Sequence, residues 1–203
     1  EAASLRIASR LPDIAVQPVC AEFVRGLNLL GHLPEARRAV FFPGSTIGNL
    51  LPHERISLLC EYARFVGSDG HVLVTYDMVK DPEVLVAAYA DREGVTAAFD
   101  LNLLARINRE LDGDLDVDGF RHEAIWDADL ERIEMRLVSL RDQHATIRGH
   151  EVSFGRGERI HTENSHKFTA ARIDIEAARA GPEAVETWRD RKDWLRVVLL
   201  RAR

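Results

Sequence analysis

Two apolar strands joined by a helix constrain the fold of this chain more than any other feature. Residues 38–42, RAVFF, and residues 71–77, HVLVTYD, are short and almost continuously apolar. Between them, residues 52–66 begin with a proline and repeat apolar side chains at helical spacing. A strand, a helix and a second strand in this order form a right-handed crossover in a parallel sheet, whose two faces are both covered by helices. The sequence therefore predicts an α/β fold.

The rest of the chain divides into parts of different character. A helix over 3–11 and a strand over 14–20 precede the crossover, and a helix over 169–180 and a strand over 193–200 continue the same pattern at the end. Between these parts, residues 82–111 are predicted to be helical with a break near Gly94, and 132–147 and 150–163 alternate as an antiparallel hairpin. We therefore expect a core formed by 1–80 and 166–203, with an α+β module inserted at 81–165.

Composition excludes several classes of protein. The 203 residues are 46% hydrophobic, which suits one domain or one domain with an insertion. The net charge is −6 with both signs interspersed, and this does not favour a nucleic-acid partner. No apolar run reaches the ~20 residues that cross a bilayer. Cys20 and Cys60 form no disulfide framework, which is typical of a reducing cytoplasm. We expect a cytoplasmic monomer that binds neither nucleic acid nor membranes.

The ligand site is expected where the strands of the α/β sheet end, because open sheets bind ligands beyond the carboxyl ends of their strands. Three segments occupy that rim: Glu22 with Phe23, residues 43–49, and residues 77–81. In the second segment Gly44 allows a close backbone approach, and Asn49 offers two hydrogen-bond donors and an acceptor. A helix start that uses the hydroxyls and the amide of this loop as caps is the structural alternative.

Four ordered blocks of the sequence resemble the histidine-specific methyltransferases. They are FFPGSTIGNL, YDMVKDPEVLVAAYADREGVTAAFDLNLLARINREL, RIEMRLVSLRDQ and IHTENSHKF. Members of that family use S-adenosyl-L-methionine to trimethylate the α-amino group of L-histidine to hercynine, the first step of ergothioneine biosynthesis. The resemblance implies a class I, Rossmann-like methyltransferase core with an inserted substrate-binding domain. The family's glycine-rich loop has no counterpart after Glu1, so we expect an N-terminally truncated chain.

The resemblance also implies a set of substrate-binding residues: Gly44, Asn49, Tyr89, Met135, Glu163 and Ser165. Asn49 and Tyr89 match the residues that bind the carboxylate of histidine, and Gly44 matches a glycine near its amine. Glu163 and Ser165 match the residues that recognise the imidazole. These two lie at i and i+2 of one strand, and so on the same face.

Further positions carry weaker implications. Met135 matches a methionine of the side-chain pocket, although without the resemblance an ordinary core methionine is the favoured interpretation. Glu22 and Phe23 match an acidic–Phe pair that contacts the adenine end of the cofactor, where the family commonly has Asp. The methyl transfer itself needs no covalent nucleophile, so no catalytic residue is predicted.

A metal site and a non-catalytic function are the two alternatives to this interpretation. HTENSH contains His161, Glu163 and His166, which are possible metal ligands, but His166 would face away from the other two in a regular strand. The acidic segment 112–119 lacks the ligand order of a calcium loop. We therefore predict no metal. The alternative function is a non-catalytic, amino-acid-binding member of the same family.

Overall fold

The computed structural model describes residues 2–21 and 36–202, in two compact units, Glu1–Ala36 and Arg37–Arg203. In the first unit, helix α1 (Ala2–Arg10) confirms the predicted helix. The strand predicted over 14–20 is wrong, because this segment is irregular. No strand among the described residues pairs with it, Pro18 has no N–H to donate, and Ile14 and Val19 are more than half exposed.

The second unit contains the remaining helices and all the described strands. The helices are α2 (Pro52–Val66), α3 (Pro82–Tyr89), α4 (Val95–Leu111) and α5 (Ala170–Ala180). The strands are β1 (Ala39–Phe42), β2 (His71–Asp77), β3 (Phe120–Asp127), β4 (Arg132–Ser139), β5 (Gln143–Ile147), β6 (His150–Phe154), β7 (Arg159–His166), β8 (Glu183–Arg189) and β9 (Leu195–Arg201).

The first sheet of this unit has the strand order β1-β2-β9-β8. Strands β1 and β2 are parallel with α2 between them in the sequence, so the predicted crossover is confirmed. Strand β9 runs antiparallel to both β2 and β8. Burial follows the predicted pattern in β2 and α2, where Val72, Val74, Leu58 and Leu59 are almost completely inaccessible. It does not in β1, where Phe41 is 68% exposed, so that face of the strand is not covered by the residues that the structure describes. The α/β class is therefore correct.

The segment between β2 and α5 forms separate sheets. Strands β3, β4 and β7 make an antiparallel sheet, and β5 pairs with β6. The predicted hairpin turn is confirmed at Arg148 and Gly149, which both have positive φ. Neither predicted arm is one continuous strand. The first is divided into β4 and β5 and the second into β6 and β7, so the turn joins only β5 and β6. The helical break is confirmed at Gly94, where φ is 71°.

One connection brings the end of β7 to the end of β2. Phe168 and Met78 form a parallel bridge, and the Phe168 N–H donates to the carbonyl of Asp77 at 2.9 Å. The polar residues of β7 therefore lie beside the carboxyl end of a core strand, where the sequence predicts the site. No helix within residues 2–21 and 36–202 is long and apolar enough to span a membrane.

Candidate active site

The loop after β1 supplies the first side of the site. Gly44 has a φ of +77° and Ser45 a φ of 56°, and a short 3₁₀ helix follows at Thr46–Asn49. Ser45 precedes this helix without a capping side-chain hydrogen bond, and helix α2 begins at Pro52 with Leu51, rather than Asn49, in the N-cap position. The capping alternative therefore fails for both side chains, and the Asn49 amide is used elsewhere.

Gly48 fixes this loop against β7. A Cβ atom at Gly48 would lie 2.7 Å from the carbonyl oxygen of His166, so no larger residue fits without displacement. The carbonyl of Gly48 accepts a hydrogen bond from Nδ1 of His166 at 2.9 Å. Burial lowers the pKa of His166, and the bond to Gly48 partly opposes that shift. This contact places the neighbouring Asn49 over β7.

Asn49 and Glu163 form a direct contact across the site. Nδ2 of Asn49 donates to Oε1 of Glu163 at 2.6 Å. Burial raises the pKa of Glu163, and the nearby charge of Asp100 raises it further. An amide carries two N–H groups, so Asn49 keeps a second donor while it holds the carboxylate.

Tyr89 and Ser165 form a second contact, which we call the hydroxyl pair. Their oxygens are 2.7 Å apart. Lys167 lies beneath the pair and donates to Tyr89 at 2.8 Å and to Ser165 at 2.9 Å. Its third hydrogen bond, of 2.7 Å, goes to Asp77 at the end of β2. The ammonium group also lies 4.6 Å from the centre of the Tyr89 ring, a cation–π contact.

Met135 lies next to both contacts. It pairs with Glu163 in the register of β4 and β7, and it is 4% exposed. Leu85 and Ile133 share its hydrophobic cluster, and Tyr89 packs against that cluster. Met135 is therefore a core residue whose position also adjoins the site.

A buried histidine supports the end of helix α3 that carries Tyr89. Nε2 of His122 is 2.9 Å from the carbonyl oxygen of Tyr89, and Nδ1 is 2.8 Å from a carboxylate oxygen of Asp100. A carbonyl only accepts, so Nε2 carries the hydrogen in the first contact. Strand β3 and helices α3 and α4 are thereby joined behind Tyr89.

A bulge overturns one expectation about the HTENSH segment. The register shifts between Met135 and Arg136, so that Arg136 pairs with His161 while Met135 pairs with Glu163. His161 therefore faces away from Glu163, contrary to the alternation expected of a regular strand. The ring of His166 is engaged with Gly48.

The structure brings most of the predicted site residues together. Asn49 contacts Glu163, Tyr89 contacts Ser165, and Met135 adjoins both contacts. Gly44 lies in the loop that leads to Asn49. Glu22 and Phe23 lie outside the described residues.

Sequence reasoning missed the residues behind this first layer: Gly48, Asp100, His122 and Lys167. The pattern contained one usable signal, because Lys167 continues the i, i+2 series of Glu163 and Ser165. A lysine at the end of a strand is nevertheless usually exposed, and Lys167 is completely buried.

The sheet and its helices have an α/β fold that is shared with known methyltransferases. The fold is similar to that of the CcbJ methyltransferase of Streptomyces caelestis, with a TM-score of 0.50 and 16% identity over 98% of this chain and 70% of that one. This likeness confirms the predicted fold class.

The chain belongs to the family of histidine-specific, S-adenosylmethionine-dependent methyltransferases, whose sequence profile matches residues 1–202. It is 42% identical over 190 residues to the histidine N-alpha-methyltransferase of Mycolicibacterium smegmatis, and 38% identical over 192 residues to that of Mycobacterium tuberculosis. Each alignment covers 93% of this chain and 59% of the relative. The chain thus spans somewhat more than half the length of these relatives.

Proposed function

We propose that this chain carries the histidine-binding part of an enzyme that methylates the α-amino group of L-histidine to N,N,N-trimethylhistidine (hercynine), in ergothioneine biosynthesis. The observation that carries the proposal is the convergence of Asn49, Glu163, Tyr89 and Ser165 at the rim of the parallel strands. Residues 81–165 would form the inserted substrate-binding domain, and residues 1–80 and 166–203 would belong to the core.

Each contact offers one group to each end of histidine, so the two contacts together supply a pair of groups for the carboxylate and a pair for the imidazole. The free N–H of Asn49 and the Tyr89 hydroxyl are donors, which suit an acceptor-only carboxylate. The Glu163 carboxylate is an acceptor, which suits an imidazole N–H, and the Ser165 hydroxyl serves the other ring nitrogen. Histidine would bind between the side chains of the two contacts. It would form hydrogen bonds with groups that are hydrogen-bonded to each other in the free protein.

Positioning provides most of the catalysis in this proposal. Methyl transfer needs a neutral amine in line with the methyl group, and part of an α-amino population is neutral at pH 7. Holding two reactants in such a geometry supplies about 7–11 kcal/mol in well-oriented cases. Hydrogen bonds to the carboxylate and to the imidazole would fix the α-carbon between them, and hence the direction of the amine.

S-adenosyl-L-methionine supplies the methyl group when it is bound. Gly44, the proposed neighbour of the substrate amine, has positive φ and no side chain, so the loop after β1 leaves space beside the amine for the methyl group. Glu22 and Phe23 are the proposed contacts for its adenine end.

We infer further that the protein is a cytoplasmic monomer whose partner is L-histidine, without a nucleic-acid or membrane partner. Both cysteines are free thiols, as expected in a reducing compartment. The net charge of −6 is consistent with the absence of a nucleic-acid partner.

Mass spectrometry of L-histidine incubated with S-adenosyl-L-methionine and a whole enzyme that contains this chain tests the proposed function. We expect mono-, di- and trimethylated histidine, and no product from leucine. The site is built to pair with a ring N–H, so an analogue without that group leaves its polar atoms unpaired. Calorimetric binding of histidine without any methylated product would instead identify a non-catalytic, amino-acid-binding protein.

A further inference from the structure

Lys167 is buried at the point where three elements of the site meet. It is 0% exposed, and its three hydrogen bonds reach β2 through Asp77, α3 through Tyr89 and β7 through Ser165. An ammonium group has three donors, so none remains for a ligand. Lys167 therefore acts on a bound molecule only through its partners.

The charge around Lys167 is not balanced by its immediate neighbours. Asp77 is the carboxylate that pairs with it, and the other oxygen of Asp77 pairs with Lys80. Two ammonium groups share this carboxylate, and Lys80 also interacts with the charge of Asp190, so Asp77 offsets the charge of Lys167 only in part. Because Lys167 is desolvated, its field toward the hydroxyl pair is weakly screened.

Lys167 also determines how the hydroxyl pair can bond. Both oxygens accept a hydrogen bond from the ammonium group, and one hydroxyl donates to the other. The pair has two hydroxyl hydrogens, so one remains to point toward a ligand in the free protein. The second becomes available to the imidazole when histidine replaces the bond between the two hydroxyls. A single O–H donor above a positive charge is complementary to a carboxylate, which only accepts.

We propose that Lys167 is a positioning residue for the carboxylate of the amino-acid substrate, acting through the hydroxyl pair of Tyr89 and Ser165. The inference rests on the proposed function, because it assigns the substrate's carboxylate to the Tyr89 side of the site. Without the ammonium group, the two hydroxyls lose their shared donor and the site loses its positive charge.

Histamine makes the proposal testable, because it keeps the imidazole and the amine of histidine but has no carboxylate. Titration calorimetry of the full chain with both ligands gives the affinity ratio. Lys167→Met, which keeps the length of the side chain and removes the charge, should weaken histidine binding about ten- to a hundredfold, as expected for a lost charged hydrogen bond. Histamine affinity should stay unchanged. Lys192→Met is the matched control, since Lys192 is exposed and stacks on Trp194.

A double-mutant cycle separates positioning from a general effect on folding. If Lys167 acts through the hydroxyl of Tyr89, Lys167→Met should cost much less histidine affinity in a Tyr89→Phe background than alone. Should the Met variant fold poorly, Lys167→Gln replaces it, because it retains N–H donors without the charge. We expect it to lower the ratio of histidine to histamine affinity as well.

If Lys167→Met weakens histidine and histamine binding equally, Lys167 only supports the fold. If it changes neither affinity, Lys167 has no role in binding. Either result would overturn the proposal. The same holds if the wild-type protein does not prefer histidine over histamine. The proposed methylation is read separately, by product formation. A shifted ratio of histidine to histamine affinity without methylated product would support the role of Lys167 and contradict the proposed methylation. Methylated product with an unchanged affinity ratio would support the methylation and contradict the role of Lys167.

Discussion

Asn49 and Glu163 are 114 positions apart in the chain, and their side chains meet at 2.6 Å. The contact joins the loop after β1 to β7, and therefore joins the four-stranded sheet of β1, β2, β9 and β8 to the three-stranded sheet of β3, β4 and β7. One amide hydrogen is used in this contact and the other is available. In the proposed function, Asn49 would hold the substrate carboxylate and Glu163 its imidazole, and these two side chains already orient each other.

Replacing Asn49 by Ala should weaken histidine binding by about 1–3 kcal/mol, the usual effect of removing a hydrogen bond to a charged group. The fold should survive, because Asn49 is exposed. Titration calorimetry with histidine measures the change, and Asn102→Ala at an exposed position of α4 is the control. An unchanged affinity would remove Asn49 from the binding site.

Glu163→Gln should stabilise the protein at pH 7. Burial raises the pKa of Glu163 in the folded state, so the charged form is disfavoured by folding. This destabilisation is fully present above the folded-state pKa, and it disappears as the pH falls below the ordinary value of a glutamate, about 4.3. Urea unfolding at a series of pH values should therefore show a gain for the Gln variant that shrinks toward acid pH. A gain independent of pH would contradict the assignment.

Gly48→Ala should disturb the site, because the added Cβ meets the backbone oxygen of His166 at 2.7 Å. We expect a loss of about 1–3 kcal/mol in the free energy of unfolding, as for other overpacked positions, together with weaker histidine binding. Gly155→Ala is the matched control, since a Cβ there meets its nearest atom at 3.8 Å. Equal behaviour of the two variants in denaturant titrations would refute the close approach of the loop to β7.

Glu176→Ala should be strongly destabilising. Arg55 is 0% exposed and donates to both carboxylate oxygens of Glu176, at 2.9 and 2.6 Å. Removal of the acid leaves a buried, unpaired guanidinium, which typically costs about 3–5 kcal/mol. The double variant Arg55→Met with Glu176→Met should lose less, because no charge remains buried. Thermal and urea unfolding of the single and double variants test this order.

The sequence by itself determined the α/β class and the positions of most helices. The spacing of apolar residues in α2 and the continuous apolar residues of β2 are local properties, and both elements were predicted with the bounds that they have in the structure. Strand β8 was missed for a local reason as well. It is an edge strand with mostly exposed residues, so it has no apolar pattern.

Only the tertiary structure decided how the side chains of the site meet. Resemblance to a family named Asn49, Tyr89, Glu163 and Ser165, but neither their mutual hydrogen bonds nor the burial of Lys167 follows from local pattern. The bulge opposite Met135 also changes which side chains of β7 share a face. These features depend on contacts between residues that are distant in the chain, and an apolar period carries no information about such contacts.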